Sequence, residues 1–444
     1  MDAAGARPSV VSVLQNRNFL MLWVAQALSQ TAQNAIWFGL LVVVEETTQS
    51  TTQMSVAVLT SILPSVMLGI IAGVFVDRMN KKRVLLVTNV LRAVTVLGYL
   101  LYSSALWLVF AVNFVFCCIS QFFAPAEAST IPQLVPRRQL ITANGLFNLT
   151  FTGSQLAGLV ILGPPIIKFF GAQTLFLLVA AVYVVCSLLV SLLPKGEQPA
   201  NPLSTLHRDT LVTQIWTEVK EGWHFITTDK GTSFAMVNLT LMSCLMLVMA
   251  TLAPRYMVAV LQVRADDSVY ILAPAGLGVL LGTSLLGRLS QRFSKQSLVN
   301  AGLVSMGLGL VLMGLIEGIA RRVPDVLARG LGLVGQPIGI GLIPAVMVLA
   351  VFFGLQYAFV TVPAQTILME RAPVDSRGRI FAVQIMLGNL ASVVPLLFVG
   401  GLADLFGIRQ VIALVGVTTA SVGLLSVRYN QARIRPPGQS TGSP

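Results

Sequence analysis

The chain has 444 residues, 55% of them hydrophobic and only 10% charged, with a mean hydropathy of +0.82. Ordinary soluble domains carry roughly 25% charged residues, so this composition excludes a soluble enzyme or binding module and describes an integral membrane protein. The net charge of +12 would suggest a nucleic-acid surface in a soluble chain, so the basic residues have to be located before they are interpreted.

The segment MDAAGARPSVVSVLQNRN at the start is polar and runs straight into a full-length apolar span, so no cleaved signal is expected. Crossing the hydrocarbon core takes about 20 mostly apolar residues. Runs of that kind lie at 19–44, 53–76, 84–104, 106–126, 142–167 and 172–193, and again at 232–256, 268–290, 297–318, 338–368, 379–403 and 410–428. The expected fold is an all-α membrane protein of twelve transmembrane helices in two pseudo-symmetric six-helix bundles, 1–193 and 232–430. A polar linker, 194–231, joins them and a tail, 431–444, follows.

With the N-terminus placed inside, most of the Lys and Arg fall on the inner side, as the positive-inside rule requires. They are Arg78, Lys81, Lys82 and Arg83; Arg137 and Arg138; Arg288, Arg292 and Lys295; Arg371, Arg377 and Arg379; and Arg428, Arg433 and Arg435. Lys168, Arg264 and Arg409 are among the few outside. The basic charge is therefore topology, both termini are expected to be cytoplasmic, and no nucleic-acid partner is expected.

In chain order, span one carries Gln26, Gln30, Gln33 and Asn34 on one helical stripe too polar to face lipid. They either line a central cavity or hydrogen-bond between packed helices. The loop GVFVDRMNKKRVLL, Gly73 to Leu86, places Asp77 and Arg78 between spans two and three, and Gly69 and Gly73 form a GxxxG pair suited to close helix approach. Arg92 stands eight residues into span three, where a charge costs on the order of 2.5 to 3.5 kcal/mol. It must face the protein interior, as a coupling or anion-binding residue or as one half of an ion pair. The remaining carboxylates sit near span ends: Glu45, Glu46 and Glu317 outside, Glu127 and Glu370 inside. Of these, Glu127 is either a proton-coupling group, paired with Arg92 if the two spans face each other, or a local helix-end partner. Span five bears Gly153-Ser-Gln-Leu-Ala-Gly158 and then Gly163-Pro164-Pro165, expected to end or kink that helix. Asn113, Gln121, Asn148, Gln155, Asn238, Tyr357, Gln384 and Asn389 are further cavity candidates.

In the linker, Val212, Ile215, Trp216, Val219, Trp223 and Ile226 recur at helical spacing among charged residues, the pattern of an amphipathic helix on the membrane surface. The segment RRVPDVLARGLGLVGQPIGI before span ten is read as a short interfacial helix. The four cysteines, Cys117, Cys118, Cys186 and Cys244, fall within spans and are read as small apolar residues. His207 and His224 are not spaced as metal ligands and no phosphate-binding loop is present, so neither a metal, a cofactor nor direct ATP drive is expected.

The halves echo each other. Gly73, Arg78 and Lys81 correspond to Gly287, Arg292 and Lys295, with Gln291 in the place of Asp77. Pro125-Ala126 and Pro136 correspond to Pro363-Ala364 and Pro373. A repeat of this kind marks a two-bundle transporter.

The motif G-x-x-x-D-R-x-x-K-K-R between spans two and three resembles the signature loop of the major facilitator superfamily. FFAPAEASTIPQLVPRRQLITANGL, VPAQTILMERAPVDSRGRIFAVQ, NRNFLMLWVAQALSQ and KEGWHFI resemble its prokaryotic drug-efflux branch, which includes macrolide and enterobactin exporters. The family usually has glycine where Asn80 stands, and asparagine is the next residue suited to a left-handed turn. The resemblance implies that Asp77 meets the start of helix eleven, here Arg377-Gly378-Arg379, and biases a two-state equilibrium by about 0.3 to 2 kcal/mol. Gln291 makes any equivalent latch in the second half neutral. GSQLAG resembles the exporter motif G-P-x-x-G-G, with serine for proline and alanine for one glycine. Related exporters place an acid in span one near the position of Gln33, which puts proton coupling through that span in question.

These features imply a monomeric secondary transporter of the bacterial cytoplasmic membrane. It exports an amphipathic small molecule, drug, macrolide-like or siderophore-like, by alternating access and in exchange for protons. The few buried carboxylates favour neutral, weakly cationic or anionic amphipaths over dications. Two rivals are an uncoupled facilitator or lipid flippase, and a non-transporting sensor on the same scaffold.

Overall fold

A computed structural model describes residues 10–103, 105–194, 229–330, 342–371 and 377–434. The amphipathic helix expected at 212–226 lies outside the described residues, as do positions 331–341 of the loop before span ten.

The described chain forms a short helix α1 (Val10–Leu14) and then α2 (Arg17–Thr48), α3 (Thr51–Asp77), α4 (Lys81–Leu97), α5 (Leu106–Leu134), α6 (Leu140–Leu156) and α7 (Gly163–Ser191). The second half contributes α8 (Lys230–Ala259), α9 (Val269–Leu289), α10 (Lys295–Gly330), α11 (Leu342–Arg371), α12 (Arg377–Phe406) and α13 (Ile408–Ile434). Among the described residues eleven helical segments are long and apolar enough to span a membrane, and one of them, Thr142–Ser191, is 50 residues long. That segment is two crossings, because Gly171 breaks it at φ 82°, a conformation in which only glycine avoids a steric penalty. The total is the expected twelve.

The break expected at Gly163-Pro164-Pro165 takes another form. The two prolines remove two backbone donors, and Ala157–Leu162 responds by widening into a π-helical turn, so the chain runs on to Gly171. The segment expected as a separate interfacial helix also differs: through Gly330 it is a continuation of α10.

Helix starts are fixed by side chains that satisfy otherwise unpaired N–H groups. Asn16 accepts from the amides of Asn18 and Phe19, at 3.1 and 3.2 Å, Ser50 from Gln53 at 3.4 Å, and Asp229 from Thr232 at 2.7 Å. Asn80 was expected in a left-handed turn; it is extended (φ −67°, ψ 113°) and caps α4 by accepting from the Arg83 amide at 3.1 Å. Asparagine serves this role well, which explains why glycine is dispensable here.

Packing repeats between the halves. In each, the second span packs on the fourth and the third on both the fourth and the sixth: α3 on α5 and α4 on α5 and α7, then α9 on α11 and α10 on α11 and α13. The ties between the first and fourth spans of each half repeat as well. Asn16 donates to the Leu134 carbonyl at 2.7 Å, tying the start of the first span to the end of the fourth. Asp229 makes the same connection in the second half through an ion pair with Arg371 at 2.7 Å.

Candidate functional site

The two bundles meet chiefly along α3 and α12, with smaller contacts of α2 and α3 on α8. Because the crossings are even in number, the start of α2 and the end of α13 share one face of the molecule, termed the terminus side; residues 45–52 and 404–410 mark the opposite, distal side.

At the distal side the seam is closed. Asp404, in the last turn of α12, accepts from the Thr51 amide (2.8 Å), the Thr52 amide (3.0 Å), the Ser50 hydroxyl (2.8 Å) and the Thr52 hydroxyl (2.7 Å). One turn earlier the backbone of Gly400 lies against Ser55, Thr51 and Thr52; a Cβ there would sit 2.7 Å from the Thr51 carbonyl, so only glycine permits the approach. Ion pairs join the bundles on the same side: Arg255 to Glu45 at 3.2 Å, Lys168 to Asp267 at 2.5 Å and Arg264 to Glu46 at 3.8 Å. Glu45, expected simply at a span end, is 1% exposed, and its second oxygen has no hydrogen-bond partner among the described residues. Near mid-membrane Asn389 donates to the Ser65 hydroxyl at 2.8 Å, the last polar link along the seam among the described residues.

Toward the terminus side the same helices part. Among the described residues a Cβ built on Gly69 or Gly73 meets nothing within 4 Å. Asp77 is exposed and Arg78 half-buried. The side chains of Arg377 and Arg379 lie outside the described residues, so the expected meeting of Asp77 with them is not part of the described structure. Gln291 and Arg292 are exposed beyond α9. Lys295 pairs with Glu370, a contact inside the second bundle. Among the described residues no ion pair crosses between the bundles on this side. Lys82, read from sequence as a topological anchor, has a structural task as well: it donates to the Ser191 carbonyl at 2.8 Å and the Leu193 carbonyl at 2.5 Å, capping the end of α7.

A second polar feature lies inside the first bundle, among α2, α4, α5 and α7. Arg92 is 1% exposed. Its Nη1 donates to the Ser29 hydroxyl at 3.1 Å and its Nη2 to the Ser120 carbonyl at 3.4 Å. The guanidinium also lies over Phe123 at 4.3 Å, with Tyr183 at 5.7 Å and Phe116 at 5.9 Å, contacts that favour a desolvated cation. Glu127 is buried on α5, two turns from Ser120. Arg92 Nε, Glu127 Oε1, Gln26 Oε1 and both amide atoms of Asn89 lack hydrogen-bond partners among the described residues. Buried polar atoms are paired in the great majority of cases, so this concentration is a departure from the rule. Sequence reading missed Asn89, although its place one turn before Arg92 on α4 was a usable signal.

The other cavity candidates separate into groups. Gln30, Gln33 and Asn34 are half-buried on α2, as is Gln121 on α5. The Asn34 amide donates back to the Gln30 carbonyl at 2.8 Å, and Gln121 to the Cys117 carbonyl at 3.4 Å. Asn113, expected in the cavity, is instead consumed in packing: it accepts from the Tyr99 hydroxyl at 2.8 Å and donates toward Thr60 and Ser61, each at 2.9 Å, binding α5 to α3 and to the 3-10 turn that follows α4. Gln155 is exposed, Tyr357 half-buried, and Asn238 and Gln384 buried. The side chain of Asn148 lies outside the described residues. In the GSQLAG stretch, Gly158 rests against Thr31, Asn34 and Ala35 of its own bundle.

Comparison with known proteins agrees with this architecture. Residues 22–335 match the family model of the Major Facilitator Superfamily. The chain is 24% identical over 363 residues to an uncharacterised MFS-type transporter, YfiS, of Bacillus subtilis (strain 168), covering 80% of this chain and 79% of that protein. It is 22% identical over 369 residues to the multidrug efflux pump Tap of Mycolicibacterium fortuitum, covering 80% and 81%. Among solved structures it superposes on a POT family transporter bound to 5-aminolevulinic acid (TM-score 0.69, 14% identity, 95% of this chain and 97% of the other). It also superposes on the nucleoside transporter NupG (TM-score 0.68, 11% identity, 93% and 99%). At such identities these structures speak for the fold alone. With a family match over well more than half of its length and the two-bundle arrangement that goes with it, the chain belongs to the Major Facilitator Superfamily.

Proposed function

We propose that this transporter exports an amphipathic small molecule across a bacterial cytoplasmic membrane by alternating access, in exchange for protons. The observation that carries the reading is the α3–α12 seam, closed at its distal end and open toward the terminus side. The basic loops assign the terminus side to the cytoplasm, so the conformation is the one in which an exporter loads. Similarity to the efflux pump Tap supports the outward direction.

Arg92 and Glu127 are the coupling pair in this reading. A proton on Glu127 removes a negative charge that acts on a buried guanidinium, and the atoms of Gln26 and Asn89 without partners among the described residues leave room for the polar network to rearrange. Half-buried Gln30, Gln33 and Asn34 supply neutral hydrogen-bonding groups on α2, suited to uncharged or weakly charged amphipaths. The lack of an acid on that stripe favours a second reading, an uncoupled facilitator or lipid flippase.

Drug accumulation in a cell depleted of its own exporters, followed by proteoliposome flux with and without a pH gradient, tests both. Lower accumulation with the wild type, lost in Asp77→Asn and Arg92→Ala, is expected, with flux that follows the gradient. Flux indifferent to the gradient removes the antiporter and leaves the facilitator; signalling without flux of any compound tested supports the sensor.

A further inference from the structure

We propose that Asp404 is a gating residue of the transport cycle, the distal counterpart of Asp77, and that the two acids form a reciprocal latch on a single pair of helices. The proposal rests on the alternating-access reading, and on neither its substrate nor its coupling ion.

The argument begins with a local conflict. A carboxylate in the last turn of a helix opposes the negative end of its own dipole. Asp404 is placed so in α12, and Asp77 is the last residue of α3. Since α3 and α12 run antiparallel along the seam, each acid stands at the level where the other helix begins. An arrangement that is unfavourable within each helix becomes favourable between them.

At the distal end that exchange is complete. The amides of Ser50, Thr51, Thr52 and Gln53 have no partners in their own helix ladder; those of Thr51 and Thr52 donate to Asp404, that of Gln53 to the Ser50 hydroxyl and that of Ser50 to the Thr48 hydroxyl at 3.2 Å. Half of this cap therefore comes from the other bundle, and it can persist only while the seam is shut. At the other end Asp77 is exposed. Gly73 stands 18 residues beyond Ser55, about five helical turns, and so on the same face of α3, but among the described residues nothing lies within 4 Å of its Cβ position. One face of one helix is thus latched above and unlatched below. Rocking the bundles to open the distal end would break the Asp404 cap and bring Asp77 toward the start of α12, so the latches exclude each other.

The test uses the full chain with Cys117, Cys118, Cys186 and Cys244 replaced, reconstituted in liposomes, with a thiol reagent present on both sides. Ser55→Cys reports the distal seam and Gly69→Cys the opposite end. Asp404→Asn and Asp404→Ala are expected to raise labelling at Ser55→Cys by about 2- to 30-fold, the range of one carboxylate at a helix terminus, and to lower it at Gly69→Cys. Asp77→Asn is expected to shift both reporters the opposite way. Thr52→Val, which removes one hydroxyl donor and leaves the carboxylate, should follow Asp404→Asn with a smaller change and guards against a misfolded variant. Unchanged labelling at Ser55→Cys overturns the proposal, and so does a rise at both reporters, which would mark Asp404 as a residue of general packing. Because labelling needs no substrate, a failure here is separate from a failure to detect export.

Discussion

The two ends of the α3–α12 seam are built from the same helices and differ in what holds them. Distally, a helix N-terminus, a carboxylate, a glycine contact and three inter-bundle ion pairs occur at the same end. At the terminus side, ion pairs such as Lys295–Glu370 and Arg371–Asp229 stay within the second bundle. Among the described residues the polar contacts between the bundles lie at the distal end and near mid-membrane, whereas the ion pairs of the terminus side hold one bundle together.

The comparison can be broken most severely at Glu45. Removing its partner through Arg255→Gln leaves a buried carboxylate uncompensated, an expected cost of about 3 to 5 kcal/mol. It would be read as a large fall in Tm or as distal opening, and Glu45→Gln in the same chain should recover most of it. Next, Gly400→Val forces a side chain into the Thr51–Ser55 backbone, with overpacking of about 1 to 3 kcal/mol. Thiol accessibility at the distal seam should rise while Gly69→Cys accessibility falls.

Within-bundle contacts should behave differently. Lys82→Met removes the cap on α7, worth about 0.3 to 1 kcal/mol; Tm should fall slightly and the ratio of distal to terminus-side labelling should stay as in the wild type. A change in that ratio would place Lys82 in the gate. The smallest effect belongs to Asp229, whose carboxyl is held below the usual range by hydrogen bonds from the Thr232 hydroxyl and amide and by Arg371. With the folded pKa depressed, its stabilisation is complete above the unfolded value and fades as pH falls through the folded one. Tm measured from pH 7 down to about 3 should drop slightly more for the wild type than for Asp229→Asn.

Sequence alone located every crossing, since hydrophobic length is a property of each segment. It also placed Arg92 in the interior, because a charge eight residues into a span has no other tolerable location. Its reading of Asn113 as a cavity residue did not survive, because an amide on a helix face cannot say which neighbour it will meet; Tyr99, Thr60 and Ser61 decide that. Asp404 was overlooked, although an acid in the last turn of a helix, with Ser50-Thr51-Thr52 opening another, was a legible oddity. Asn80 shows a further difficulty, as asparagine suits both a left-handed turn and an N-cap, and the backbone chose the latter.

What the sequence determined by itself was the membrane class, the number of spans, the internal repeat and the family. All of these follow from composition, periodicity and short motifs carried along the chain. Which acids grip the opposite bundle, and which end of the seam is shut, were decided only by tertiary structure. Residues 51 and 404 are more than 350 positions apart, and only the packing of Gly400 against α3 brings a carboxylate to that helix's N-terminus.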